Sequence, residues 1–246
     1  MFNSSSLFNH LVIDIETVPE YAAFNLMPTE WQILWEEKIS KTMPESSNPE
    51  QSYKQRGGIL SEFGKIICIS TGYFVSDTNG QFVFKVKSIY GDNELALLQK
   101  FIAWCDAFKK HNPALKFAGH NIREFDIPYI CRRLLVHAQM PPTYLDLSSF
   151  KPWEHSHTDT LQLWKFGDYK NYISLNLLTH VLGIPTPKTD MDGSQVQDVY
   201  YQDNNIERIV TYCQQDIIAV ANILLKFSAK PLLTTSQIEL IEGVRV

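Results

Sequence analysis

"HLVIDIETVP", residues 10–19, is the stretch on which the reading of this chain turns. Leu11, Ile13 and Ile15 alternate with Val12, Asp14 and Glu16, the two-residue period of a β-strand. Apolar residues in both phases predict a central strand covered on both faces. That strand nevertheless carries two carboxylates on one face, with Cβ atoms about 7 Å apart. A covered carboxylate is costly, and two of them repel. A strand that ends in solvent at Glu16 would remove the cost, and Pro19, which cannot continue a central strand, follows closely. A hard cation between the two would remove it as well, because oxygen ligands suit Mg²⁺ or Mn²⁺. The D-x-E pair alone leaves both open.

The surrounding composition narrows the class. A chain of 246 residues forms one large domain or two small ones with a sizeable core. No apolar run is long enough for a transmembrane helix, and "MFNSSSLFNH" has no basic region or apolar stretch of a signal peptide. Cys68, Cys105, Cys131 and Cys213 are scattered without a CxxC pair, which predicts reduced core cysteines in a cytoplasmic protein. A net charge of −5 argues against a long basic nucleic-acid surface. It leaves room for a site holding a few nucleotides, where cations screen the acids.

Periodicity predicts a helix over 28–39, with Thr29 and Gln32 as a capping box. The polar stretch 42–58 predicts a surface excursion. Strands follow at 65–74 and 81–90, joined at Asn79-Gly80, so the opening is an antiparallel meander. A helix over 92–110 has Leu95, Leu98, Phe101, Ile102 and Cys105 near one face. A short strand over 115–121, a helix within 124–139, a further strand within 143–161 and a helix over 174–184 come next. The last long helix, about 205–227, has a core stripe of Ile206, Ile209, Cys213, Ile217, Val220 and Leu224. Three antiparallel strands followed by alternating helices and strands make a mixed sheet with helices on both faces.

Two further segments bear on the acids. In "GHNIREFDIPYI" (119–130) a strand gives way to a helix at Asp126. Asp there is an ordinary helix cap, yet Phe125 and Ile127 flank it with apolar bulk. Asn121 lies at the strand's C-terminal end, the edge where open α/β sheets bind ligands. In "YCQQD" (212–216) Tyr212 and Asp216 are one turn apart on a helix, beside the core stripe. A surface Tyr–Asp hydrogen bond would explain that pair by itself.

Taken together, "DIET", "GHNIREFD" and "YCQQD" resemble the three motifs of the DEDD 3′–5′ exonucleases, in order and approximate spacing. Thr211 stands where one branch has a histidine, and Tyr212 where the other has a tyrosine, so the likeness is to the DEDDy branch. "ILSEFGKIICIS", "NLLTHVLGIPTPKTDMDGSQVQDVYY" and "IVTYCQQDIIAVANIL" resemble stand-alone bacterial proteins related to the proofreading exonuclease domain of family-B DNA polymerases. The resemblance covers about residues 10–228 and implies one exonuclease domain over 1–246. It implies a ribonuclease-H-like fold, a five-stranded mixed sheet in the order 3-2-1-4-5 flanked by helices.

The implied reaction is hydrolysis of 3′-terminal phosphodiesters, single-stranded DNA ends before RNA, releasing nucleoside monophosphates. Carried over motif by motif, Asp14, Glu16, Asp126 and Asp216 bind two divalent cations, Mg²⁺ or Mn²⁺, with Asp14 bridging. Tyr212 orients the attacking water, and Thr17, Asn121 and Phe125 line the substrate groove. Two alternatives remain: an RNA-processing exoribonuclease, and a non-catalytic nucleic-acid-binding scaffold. A polymerase or helicase partner would supply the affinity that net negative charge withholds. Asp159 fits equally an acidic position of relatives and the start of the next element. His155 and His157 read as surface histidines, Lys188 as a surface lysine, and Trp31, Trp35 and Trp104 as core-serving aromatics.

Overall fold

The computed structural model describes residues 4–40, 48–147, 157–168, 170–185 and 191–246. Strand β1 (His10–Pro19) is followed by helices α1 (Thr29–Ser40) and α2 (Pro49–Arg56), then β2 (Gly64–Ser76), β3 (Phe82–Tyr90) and α3 (Glu94–His111). The second half runs β4 (Lys116–Gly119), α4 (Asp126–Val136), β5 (Thr158–Asp159), α5 (Thr160–Lys165), α6 (Leu175–Val181), α7 (Val196–Tyr201) and α8 (Ile206–Phe227). Two short strands, β6 (Ile238–Leu240) and β7 (Val244–Arg245), close the chain.

The sheet runs β5-β4-β1-β2-β3-β6, with β7 also on β3. This contains the expected 3-2-1-4-5 order and adds two strands at the β3 edge. Strands of three and two residues are too short to announce themselves by alternation. β2 runs antiparallel to both β1 and β3, whereas β4 runs parallel to β1 and β5 parallel to β4.

β1 is buried on both faces, as its sequence predicts. Leu11, Ile13 and Ile15 join one core with Leu97, Phe101 and Cys105 of α3 and Ile130 and Leu134 of α4. Val12 joins the opposite core with Ile217, Val220 and Leu224 of α8. Asp14 and Glu16, in phase with Val12, therefore face α8. All six expected stripe residues of α8 are buried.

Four expectations change. Gln32 turns its side-chain amide to the Met27 carbonyl, 2.8 Å away, so α1 does not start with the Thr29–Gln32 box. Leu97, rather than Leu95, stands on the buried face of α3. Residues 49–56 of the expected excursion form α2, while 42–47 lie outside the described residues. Asn48 caps α2 by accepting from Gln51 N at 2.7 Å, and Pro49 begins it. Its helical nature is hidden by a polar composition in which one aromatic does the packing. Tyr53 is fully buried edge-on to Trp35, whose indole donates to Ser52 at 3.0 Å. His157 is half-buried rather than superficial: Phe117 N donates to its Nδ1, and Nε2 meets Tyr144 O. His155 and Lys188 lie outside the described residues.

Candidate active site

Three chain segments meet at the C-terminal half of β1. β4 pairs with β1 only over His10–Val12, so the next stretch of that edge is open. A Cβ on Gly119, where β4 ends, would stand 2.1 Å from Ile122 Cγ2 and 2.8 Å from Ile13 O, so only glycine allows this close approach. The chain then turns through Asn121 at φ 64°, whose carbonyl accepts from Glu124 N and Phe125 N. The turn delivers Asp126 as the first residue of α4. Its Oδ1 accepts the Ile15 N–H at 3.1 Å, so a carboxylate takes the partner place that β4 leaves empty.

From the other face comes α8. Tyr212 stands one turn before Asp216 on the same helix face, and its hydroxyl holds the Asp216 pKa down. Cys213, fully buried, lies with Sγ 3.2 Å from Asp14 Oδ2. Ligand atoms of Asp14, Glu16 and Cys213 fall within 4.8 Å of one another. A register shift between Glu16 and Thr17 leaves Ile67 of β2 without a counterpart on β1. Such irregularities re-aim the side chains after them.

The four acids share one electrostatic situation. Glu16 and Asp126 are buried, and the pKa of every member rises. Burial is the largest cause throughout. Asp216 and Asp126 add repulsion at Asp14, and Asp14 and Asp216 add it at Glu16. Asp126 reaches about 7, held down only by its own backbone N–H and that of Ile15. Asp216 reaches about 6, held down by Tyr212. Tyr212 itself is pushed far up by burial and then by Asp216, Glu16 and Asp14, so it stays a hydroxyl donor. No ion pair with a lysine, arginine or histidine is recorded for any of the four among the described residues. The donor set is hard oxygen with a deficit of positive charge, which suits Mg²⁺ or Mn²⁺.

Thr17 and Phe125 line a groove of about 820 Å³ that begins at Glu16. The Thr17 hydroxyl donates to Gly58 O at 2.8 Å. Asn121 is not among the lining residues; its carbonyl holds the turn, and its Oδ1 is buried with no hydrogen-bond partner among the described residues.

Two residues at the site were not among the expected site residues. Asp159 is buried and accepts from Asn121 N at 2.9 Å, Arg123 N at 3.2 Å and Leu161 N at 3.0 Å. It caps α5 and fixes the turn that presents Asp126. "TDT" ahead of "LQLW" is an N-cap signal that finds the first duty; only the fold shows the second. Cys213 follows Tyr212 directly, but a stripe cysteine reads as core until Asp14 is placed beside it.

A mixed sheet with this order, helices on both faces and acids gathered on its central strand defines the class of ribonuclease-H-like exonuclease folds. The family model described as "Predicted 3'-5' exonuclease related to the exonuclease domain of PolB" matches residues 59–237, and the chain belongs to that family. β1, α1 and α2 precede the matched stretch. Among solved structures, the family B DNA polymerase of the hyperthermophilic archaeon Pyrobaculum calidifontis is similar in fold, with a TM-score of 0.54 and 12% identity. The match covers 89% of this chain and 24% of the polymerase, so the chain spans about a quarter of that protein. No curated protein matches the chain. Among the described residues no helix is long and apolar enough to cross a membrane.

Proposed function

We propose that the chain is a single-domain 3′–5′ exonuclease that uses two divalent cations to hydrolyse the 3′-terminal phosphodiester of single-stranded nucleic acid, DNA before RNA. One observation carries the reading: four carboxylates from three distant segments converge where burial raises every pKa and, among the described residues, no cationic side chain pairs with them. Asp14, Glu16, Asp126 and Asp216 would hold the Mg²⁺ or Mn²⁺ ions. Ions held there supply the missing positive charge and acidify a bound water.

The chain's own groups do the rest. Tyr212, kept protonated, orients the attacking water through its hydroxyl. The Ile15 N–H fixes the Asp126 carboxylate, and the Cys213 thiol, also pushed up by burial, fixes Asp14. Thr17 and Phe125 contact the terminal nucleotide, and Asn121 supports them from the turn. Water oxygen bonds to phosphorus as the bond to the penultimate 3′ oxygen breaks, releasing a nucleoside monophosphate.

The test incubates end-labelled single-stranded DNA and RNA with the protein in Mg²⁺, Mn²⁺ or EDTA, beside Asp14→Ala. Expected is a ladder shortening from the 3′ end that EDTA and the substitution both abolish, faster on DNA. No metal-dependent degradation of either polymer would overturn the reading.

A further inference from the structure

The groove that starts at Glu16 has an outer wall that the family match does not include. Gln51, Lys54 and Gln55 of α2 line it, together with Phe125 and with Gln197 at the start of α7. Ile59, 53% exposed, also lines the groove, so two apolar side chains, Phe125 and Ile59, offer surface to a base or sugar. At about 820 Å³ the groove falls within the ~300–1,000 Å³ of pockets that bury one small ligand. That volume suits the end of a separated strand.

Among the described residues that line this groove, Lys54 is the only cation. Its Nζ lies 3.1 Å from Asp198 Oδ2 of α7, and both side chains are largely exposed. Such a pair is held by ~0–1 kcal/mol or less, so it opens at little cost. A phosphate offers the same ammonium a charge-assisted hydrogen bond. Asp198 meanwhile keeps a second partner, Gln202 Nε2 at 2.8 Å, and can release Lys54 without being stranded.

Resting on the nuclease reading above, we propose that α2 is a strand-binding wall and that Lys54 exchanges Asp198 for a backbone phosphate of the single strand entering the groove. Asp198 then acts as a competitor that the polyanion must displace. The wall is anchored to the site, because Gly58 O accepts from both Thr17 on β1 and Tyr129 on α4.

Binding of a short 5′-fluorescein-labelled oligo(dT) is measured by anisotropy across a salt series, in Mg²⁺, with the Asp14→Ala protein to prevent hydrolysis. Adding Lys54→Ala should weaken binding about tenfold at low salt and flatten the slope of log affinity against log salt by ~0.7, one single-strand phosphate contact. Adding Asp198→Ala should tighten binding, by up to about fivefold. In the protein with Asp14 intact, Lys54→Ala should raise KM and leave kcat unchanged. Opposite signs for two members of one ion pair separate exchange from damage to the fold, which would weaken both. Unchanged affinity and slope, a shift of both variants in the same direction, or no binding of oligo(dT) would overturn the proposal. If binding follows the expected pattern but the intact protein never degrades DNA, the groove assignment stands and the nuclease reading falls.

Discussion

Two sets of buried acids lie within this molecule, and they are treated in opposite ways. Glu94, at the start of α3, is 5% exposed and saturated with donors. Ile66 N reaches it at 2.7 Å, Arg133 through Nε and Nη2 at 2.6–3.0 Å, and His137 Nε2 at 2.7 Å. Arg133 spends its remaining donors on Ser61 O and Glu20. Among the described residues, the quartet of Asp14, Glu16, Asp126 and Asp216 is met by uncharged donors alone. A fold able to assemble the first arrangement could neutralise the second. At Glu94 the chain supplies the counter-charge itself, whereas around the quartet the described residues supply none, an arrangement that suits a bound cation.

The contrast can be broken from either side. The largest effect is expected for Asp14→Asn, which should remove more than about 10⁴-fold of exonuclease rate, some 5.5 kcal/mol of barrier. The same variant should be more stable than the parent in EDTA at neutral pH, since it deletes one of the repelling charges. A loss of metal-free stability, read by urea denaturation, would contradict the account of the quartet.

Arg133→Ala should behave in reverse. It strands Glu94 and should cost about 3–5 kcal/mol in the same titration, with no dependence on added divalent ions. A third measurement follows stability against pH. Asp126 and Asp216 are raised in the fold to about 7 and about 6 from 3.8, so their contribution is full below about pH 4 and lost as pH climbs through 6 and 7. In EDTA the parent should lose up to a few kcal/mol relative to Asp126→Asn over that interval. Mn²⁺ at a hundredfold its Kd should return about 2.7 kcal/mol to the parent. A melting temperature indifferent to Mn²⁺ at pH 8 would speak against metal binding.

The smallest effect is the sharpest probe of the turn. Asp159→Asn keeps one acceptor oxygen but removes the charge and one of three backbone bonds, and should cost about 1–2 kcal/mol of stability. If the turn positions Asp126, the metal concentration giving half-maximal rate should rise more than kcat falls. Equal loss in both would reduce Asp159 to a helix cap.

Much of this was legible in the residues. The alternation in "HLVIDIET" placed β1 at the centre, and helical spacing put Tyr212 and Asp216 on one face of α8. What periodicity could not supply was proximity. Asp159 meets the turn only because β5 lies beside β4, across 38 residues of sequence. Cys213 reads as one more core residue until β1 is laid beneath it. α2 was hidden for a different reason: a helix held by one buried tyrosine and a cap has almost no apolar stripe to detect. β6 and β7 were too short for any alternation to show.

Gly58 carries a further consequence. Its one carbonyl ties β1, through Thr17, to α4, through Tyr129, at the foot of the α2 wall. A wall pinned there cannot swing aside for a bulky end without dragging the acids out of register. On the nuclease reading proposed above, the groove would work as a fixed gauge, passing ends by width before any chemistry begins. Mispaired, frayed or freshly unwound termini would qualify, and a snug duplex terminus would be left intact.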